Sequence, residues 1–299
     1  MLDAAIRTVA LKVPCIKAER PEKARRAQPV MRTLAALSLA AALGACGTMP
    51  GASSASAPVV TELAPSGKLR AAINLGNPIL ASTDSVTGAP RGVSVDLAHE
   101  LGKRLGVPVQ LVPYTAAGKV VEGVKADEWD IAFVAIDPKR GVDMEQTNPY
   151  VIIEGAFMVP QASPIRTNAE VDQKGVRVVV GAGSAYDLYL SREIRNAQLV
   201  RAPTSPVVVE TMVRQSMEVA AGVRQQLEAD AKRIPGMRML DGRFMVINQA
   251  MATPKGRVAA ARYLNTFVEE MKASGFVADA LARHRIEGAA IAPPGAARN

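Results

Sequence analysis

The residue types best suited to catalysis are few and widely separated in this sequence. The chain has two histidines, His99 and His284, and both lie in charged segments with helical spacing. Ser184 lies in Gly-Ala-Gly-Ser-Ala, which lacks the Gly-x-Ser-x-Gly turn of serine hydrolases. No third glycine follows Gly181 and Gly183 at dinucleotide spacing, and no His, Cys and Asp set has zinc-site spacing. We therefore expect no catalytic residue, no metal and no cofactor.

A cysteine near the N-terminus lies in a pattern typical of covalent lipid attachment. Arg32 precedes residues 33–42, an apolar run with the length of a signal-peptide core that is too short to span a bilayer. The run ends in Leu43-Gly44-Ala45-Cys46, which matches the bacterial lipobox, where the cysteine sulfur accepts a diacylglyceryl group. The alternative is an ordinary secretory signal in which Cys46 is incidental. The pattern favours a periplasmic lipoprotein anchored to a bacterial membrane through Cys46.

The segments on either side of this signal do not have the pattern of a folded domain. Residues 1–30 lack an apolar core pattern and would place the signal far from the N-terminus, so we expect translation to begin at Met31 rather than Met1. Residues 1–46 are then a mis-started extension followed by a lipoprotein signal peptide. Residues 47–60 are rich in Gly, Ala, Ser, Thr and Pro, which favours a flexible linker.

Composition and charge favour a globular protein with an ordinary solvated surface. A length of 299 residues is enough for two domains that each bury a core. A content of 48% hydrophobic and 21% charged residues is typical of globular proteins. The formal net charge is +8, but several cations precede the folded part. No basic run is interleaved with aromatic residues as in proteins that track a nucleic-acid strand, so we expect no nucleic-acid partner.

Beyond the linker, short β-rich runs alternate with helical periodicity, which is typical of an α/β fold. Residues 69–74 predict a strand, residues 96–106 an amphipathic helix that ends at Gly106, and residues 129–134 a buried strand. The alternation continues to a long helix over residues 255–273, and Ser184 is suited to cap the helix that follows it.

Several short segments occur in an order that resembles one known family. They are LRAAI at 69–73, GVSVDLA at 92–98, WDIAF at 129–133, DPKR at 137–140, NPY at 148–150, VGAGSAY at 180–186 and a terminal helix at 267–275. Together they resemble the type II periplasmic solute-binding proteins of ABC importers, of the family 3, polar amino-acid-binding group. The resemblance covers Leu69 to about His284.

The resemblance implies a two-lobe α/β clamp in which each lobe is a mostly parallel sheet flanked by helices, joined by a two-strand hinge. The first lobe comprises residues 61–152 and 245–299, and the second comprises residues 153–244. A small carboxylate-bearing or amino-acid-like molecule is expected between the lobes, at the carboxyl ends of the strands. The implied role is a monomeric extracytoplasmic binding protein, not an enzyme, that delivers its ligand to an ABC permease.

The same resemblance implies which residues contact the ligand. Arg140 grips a carboxylate in this family, and the alternative is an ordinary surface arginine. Ser184 lies at a helix N-terminus whose amides suit an anion, and the alternative is capping without a ligand. The remaining candidates lie on the loops near these two or at strand ends: Ala135, Asp137, Ala185, Tyr186, Tyr114 and Tyr150. For Tyr150, packing at the hinge is an equal alternative.

The sequence also departs from the family pattern. Ala135 stands where a Thr or Ser is common, and residues 77–80 lack the usual aromatic. Where an acid normally pairs with the α-ammonium of the ligand, this chain has Gly222-Val223-Arg224. These departures argue against a standard α-amino acid, and Arg140 with Arg224 would suit an anionic or dicarboxylate-like molecule. The alternative for Arg224 is a solvated helix face shared with Glu228 and Lys232.

Two other functions remain compatible with the sequence. Periplasmic cyclohexadienyl dehydratases use the same fold and need an acid in the cleft, for which Asp137 or Glu154 would be the candidate. A sensory or accessory lipoprotein would bind a solute for a partner other than an importer.

Overall fold

The computed structural model describes residues 55–295 of the chain. The predictions for the N-terminal extension, the signal peptide, the lipidation of Cys46 and linker residues 47–54 lie outside the described residues.

Helices and strands alternate along most of this part of the chain. The helices are α1 Ala57–Leu63, α2 Val93–Leu105, α3 Ala117–Lys125, α4 Ala185–Glu193, α5 Val208–Arg214, α6 Arg224–Arg233, α7 Val258–Ala273 and α8 Phe276–Arg283. The strands of the first half are β1 Leu69–Asn74, β2 Ser82–Thr83, β3 Pro90–Arg91, β4 Val109–Tyr114, β5 Ile131–Ala135 and β6 Met144–Pro160. The later strands are β7 Arg177–Gly181, β8 Gln198–Ala202, β9 Val219–Val223, β10 Met237–Met239, β11 Met245–Pro254 and β12 Ala290–Ile291.

Two long antiparallel strands, β6 and β11, join two groups of parallel strands. The order is β4-β1-β5-β11-β6-β9-β7-β8, with β10 and β12 also paired to β6. Strand β1 is parallel to β4 and β5, and β7 is parallel to β8 and β9. We call the group containing β1 and the helices packed on it the first lobe, and the group containing β7 the second lobe. The predicted α/β class, with mostly parallel lobes joined by two strands, is confirmed.

Apolar periodicity places each helix against its sheet. Leu97, Leu101 and Leu105 follow one another at a spacing of four residues on α2, and all three are buried. Each buried leucine contributes about 1.5–3 kcal/mol of hydrophobic stabilisation. Gly106 ends the helix in the left-handed conformation, as its position in the sequence predicts.

Three elements differ from the sequence-based expectation. Helix α1 already begins at Ala57, inside the predicted linker, because Pro58 suits a first turn and Val59 and Leu63 are buried. Strand β6 runs through Pro149, where a register shift in its pairing with β11 accommodates the missing amide donor. The segment after Gly288, predicted to be loose, forms β12 against β6.

A buried carboxylate connects β1, the start of β5 and helix α7 on the first lobe. Asp130 is completely buried and accepts hydrogen bonds from Arg70 Nε at 3.0 Å and from Arg257 Nη1 at 2.9 Å. The hydrogen bond to Asp130 raises the pKa of Arg70. Arg257 also donates to the carbonyl of Glu62, so the same cluster fixes α1. Asp127 contacts both arginines as well, but its side chain is 74% exposed.

We expect Asp130→Asn to lower the free energy of unfolding by about 3 kcal/mol, because it removes the buried carboxylate from two partly buried guanidinium groups and leaves them only the exposed Asp127. Asp127→Asn is the matched control, since it removes an exposed charge from the same arginines and should cost less than about 1 kcal/mol. Urea denaturation of both variants measures the difference. Equal losses would show that the buried carboxylate is not the source of the stabilisation.

Candidate functional site

The carboxyl ends of the parallel strands in the two lobes face each other across a narrow cleft. A cavity of about 30 Å³ lies there, which is little more than one or two water molecules require. Its first-lobe lining is Asn74, Gly76, Asn77, Ala117, Ala135 and Arg140. Its second-lobe lining is Ser184, Ala185, Tyr186, Ser205 and Val223, and β11 adds Ile247 and Gln249. We call this space the interlobe cavity.

Arg140 is the central charged group of the interlobe cavity. It begins a short 3₁₀ turn after β5, and its side chain is 1% exposed. Its Nη1 donates to the carbonyl of Ala135 at 2.9 Å, and its Nη2 donates to the carbonyl of Gly183, across the cleft, at 2.9 Å. Its Nε is buried and, among the described residues, has no hydrogen-bond partner. The guanidinium thus contacts both lobes, and its Nε–H has no acceptor among residues 55–295.

Burial also determines the charge state of this group. Loss of hydration lowers the pKa of Arg140 to about 10, and the nearby carboxylate of Asp137 partly opposes that shift. Arg140 therefore remains a cation near neutral pH. The two hydrogen bonds of its side chain within the described part of the chain go to carbonyl groups rather than to a carboxylate.

Asp137 connects the two lobes just outside the cavity. Its Oδ2 forms an ion pair of 3.0 Å with Nη1 of Arg192 on α4, and its Oδ1 accepts from the amide of Lys139 at 2.8 Å. The carboxylate is buried, whereas Arg192 is half-exposed. Asp137 therefore stabilises contact between the lobes, and each of its carboxylate oxygens already has a protein partner.

The N-terminus of α4 forms the opposite wall. Ser184 caps this helix, because its Oγ accepts from the amide of Asp187 at 3.0 Å. The buried hydroxyl of Tyr186 is hydrogen-bonded with Ser184, Ser205 and the backbone of Gly181, and burial raises its pKa. Ser184, Ala185 and Tyr186 all line the cavity, so the structure brings this predicted set together with Arg140 and Ala135.

Two glycines bring the backbones of the two lobes close together. Gly183 has a φ of +68°, and a Cβ placed on it would lie 2.7 Å from Cα of Gly118, at the start of α3. A side chain at position 183 would therefore be strained in its backbone and would push the lobes apart. The absence of Cβ atoms here allows the backbone of one lobe to touch that of the other.

Two tyrosines predicted near the ligand lie elsewhere. Tyr150 is completely buried, packs edge-on against Phe133, and its hydroxyl lies 3.4 Å from Oγ of Ser94. Tyr114 ends β4, the first strand in the sheet order, and donates to Glu128 at 2.5 Å. Neither side chain lines the interlobe cavity.

Arg224 is the main correction to the predicted site. Its Nε contacts Oε2 of Glu154 at 2.9 Å, and Arg243 contacts Oε1 of the same carboxylate at 2.7 Å. The reason is local: Val223 ends β9 and lines the cavity, and helix α6 begins at Arg224 and points that side chain toward Glu154 on β6. The interlobe cavity therefore has an apolar wall where the sequence suggested a second cation.

Sequence reasoning missed several polar residues of the cavity. Asn74 is the last residue of β1 and Asn77 lies in the loop after it. Ser205 follows β8, and Gln249 lies within β11. Oδ1 of Asn77 is buried without a hydrogen-bond partner among the described residues. A signal was available for Gln249, which with Asn248 forms a pair of amide side chains within a mostly apolar strand.

A larger groove on the first lobe is a weaker candidate. It measures about 890 Å³ between α1, α2 and α7. Arg104 in its wall already pairs with Glu100 and Glu270. Polar groups that are buried and unpartnered, as in the interlobe cavity, are the better indication of a ligand.

Residues 55–295 offer neither a metal-binding cluster nor a membrane-spanning helix. That range contains no group of three or more His, Cys, Asp and Glu side chains placed to hold a metal ion. None of its helices combines the length and the apolar character needed to cross a membrane.

Comparison with known proteins identifies the family. The family model for bacterial extracellular solute-binding proteins, family 3, matches residues 69–285. No curated protein sequence matches the chain.

Solved structures match across most of the chain. A structure described as a binding component of an ABC transporter from Wolinella succinogenes, complexed with lysine, has a TM-score of 0.64 at 21% identity, covering 73% of this chain and 95% of that one. A solute receptor for L-cysteine of Neisseria gonorrhoeae has a TM-score of 0.67 at 21% identity, with coverages of 77% and 94%. An ancestral amino-acid-binding protein, a precursor of cyclohexadienyl dehydratase, has a TM-score of 0.64 at 20% identity, with coverages of 75% and 98%. At these identities the likeness establishes the fold.

We expect Gly183→Ala to hold the lobes further apart, because its Cβ would meet Gly118. Gly175→Ala is the matched control, since Gly175 has a φ of +89° but nothing within 4 Å of an added Cβ. Both variants should lose about 1 kcal/mol of stability from backbone strain. Only Gly183→Ala should show a larger radius of gyration by small-angle X-ray scattering, and equal radii would contradict the glycine contact.

The Glu154 cluster predicts a pH dependence. Arg243 and Arg224 hold the pKa of Glu154 below its usual 4.5, so its stabilisation is present above pH 4.5 and is lost as the pH falls through the lowered pKa. Glu154→Gln should therefore cost up to about 1 kcal/mol near neutral pH and progressively less as the pH falls below 4.5. Denaturant titrations of the wild type and Glu154→Gln across this pH range measure the difference in their free energies of unfolding. A difference that does not change with pH would contradict the stabilising role assigned to the ionised Glu154.

Proposed function

The chain belongs to the bacterial extracellular solute-binding proteins of family 3, and on that premise we propose that it captures a small carboxylate-bearing molecule in the interlobe cavity. The observation that carries this proposal is Arg140, a buried cation that reaches both lobes and keeps an unpartnered Nε–H donor. A buried guanidinium is stabilised by an anionic acceptor with matching planar geometry.

The amides at the start of α4 support the same ligand class. Helix α4 begins at Ala185, so the N-terminal amides and the positive end of the helix dipole lie beside Arg140. Both features favour a negatively charged group. Because Arg140 belongs to one lobe and α4 to the other, a carboxylate between them would favour closure of the clamp.

We further propose that the closed form delivers its ligand to an ABC permease, as the family description and the transporter component from Wolinella succinogenes suggest. In this proposal the protein works as a monomer in the periplasm, attached to the membrane by lipid on Cys46. A sensory or accessory role would use the same cleft with a different partner.

Contacts of the two candidate acids favour binding over dehydration. Asp137 is held by Arg192 and the amide of Lys139, and Glu154 is held by Arg224 and Arg243. The arginines also hold the pKa of Glu154 below its usual value, which is opposite to what a general acid near neutral pH requires. We therefore propose that the protein binds its ligand without converting it.

Arg140→Ala should weaken binding of a carboxylate ligand about 100-fold, because a charge-assisted contact is lost. A thermal-shift screen with amino acids, hydroxy acids, dicarboxylates and aromatic acids identifies a ligand, since binding to the folded state raises the melting temperature. Calorimetry then compares Arg140→Ala with Arg140→Lys, which keeps the charge, and with Arg214→Ala on the exposed face of α5.

Affinity near the wild-type value for Arg140→Ala would overturn the role assigned to this residue. Equal losses for Arg140→Ala and Arg214→Ala would mean that net charge, rather than a specific contact, governs binding.

A further inference from the structure

We propose that the ligand is a small 2-hydroxy acid, with one carboxylate, one hydroxyl and no ammonium group. This inference rests on the proposed function and specifies its ligand class. It derives from two unpartnered atoms in the interlobe cavity and from the balance of charge around them.

The two unpartnered atoms are of complementary kinds. Arg140 Nε is a buried donor, and Asn77 Oδ1 is a buried acceptor, and both side chains line the interlobe cavity. Buried polar atoms in proteins are nearly always hydrogen-bonded, and these two can take a partner from a molecule in the interlobe cavity. A carboxylate oxygen satisfies the donor, and a hydroxyl hydrogen satisfies the acceptor. A 2-hydroxy acid carries both groups on adjacent carbons.

An ammonium group could also donate to Asn77, but its charge would have no partner. The lining of the cavity includes the cation Arg140 and no Asp or Glu. The nearest carboxylates are engaged: Asp137 with Arg192, and Asp187 with Arg201 and the amide of Gly183. A buried cation without a counter-charge is strongly disfavoured, and a second cation close to Arg140 is repelled.

The remaining walls limit the ligand to one negative charge and a short chain. Val223 is the apolar residue at the end of β9, and Arg224 beyond it is neutralised by Glu154. A second carboxylate of the ligand would therefore lack a cation. The cavity of about 30 Å³ must widen to admit even a small acid, so a short chain requires the least separation of the lobes.

The test compares ligands that share a carbon skeleton. Calorimetry near neutral pH measures binding of L-lactate, pyruvate, L-alanine and propionate, with glycolate and glycine as the shorter pair. We expect the hydroxy acids to bind at least about ten-fold more tightly than the amino acids, because the ammonium group of an amino acid would lack a counter-charge in the cavity. They should also bind several-fold more tightly than propionate, which lacks the hydroxyl.

A variant separates the hydroxyl contact from general polarity. Asn77→Ala should weaken L-lactate binding about five- to ten-fold and leave propionate binding unchanged, because only lactate uses the acceptor. Asn168→Ala is the matched control, since its Oδ1 is also buried without a partner but lies outside the cavity lining. It should leave both affinities unchanged.

The outcomes distinguish this inference from the proposed function. Tighter binding of L-alanine or glycine than of the matching hydroxy acid would overturn the hydroxy-acid assignment and leave carboxylate capture intact. Equal weakening of lactate and propionate by Asn77→Ala would overturn the role of Asn77 as the hydroxyl acceptor. Failure of every carboxylate, including larger amino acids, to bind would overturn both.

Discussion

The structure of the cleft depends on a cation buried between two lobes. Arg140 is almost completely buried, yet with a pKa of about 10 it remains charged. Burying an ion costs several kcal/mol unless acceptors surround it, so the chain must place carbonyl groups at the guanidinium. Strand β5 ends at Ala135 and the turn before α4 lies at Gly183, and each supplies one acceptor. Both lobes are therefore positioned by the requirements of one side chain.

Local sequence patterns predicted the elements that depend on local physics. Residues 69–74 form β1 as predicted, Gly106 ends α2, and Ser184 caps α4, because periodicity and capping chemistry involve only near neighbours. Strand β6 was harder to predict, since its length depends on pairing with β11 nearly a hundred residues later. The cavity polar residues Asn77, Ser205 and Gln249 come from distant parts of the chain, so only the folded sheet brings them together. Val223 ends β9 and lines the cavity, whereas Arg224 begins α6 and points toward Glu154. A sequence pattern locates the start of a helix only to within ±1–2 residues, so it does not decide which of the two side chains lines the cavity.

The charge balance of the cleft shows how one fold can serve different solutes. The strands, the crossing pair β6 and β11 and the capped helix α4 are scaffold features that hold the lobes in place. Specificity depends on the few side chains at strand ends, and one change of residue type there alters the charge that a ligand must carry. In this chain the acids next to the cleft stabilise contacts between protein groups, as Asp137 does with Arg192.

The contact between Gly118 and Gly183 has a consequence for the thermodynamics of closing. Side chains that meet when two lobes close usually lose rotamer freedom, which costs up to about 2 kcal/mol for a long polar residue. Glycine has no rotamers, so the backbone contact at this rim forms without that entropic loss. The free energy of closure then depends on the contacts that Arg140 and Asp137 make across the cleft, on the bending of the hinge strands and on the solute between the lobes. The glycine contact therefore adds no side-chain ordering cost of its own to closure.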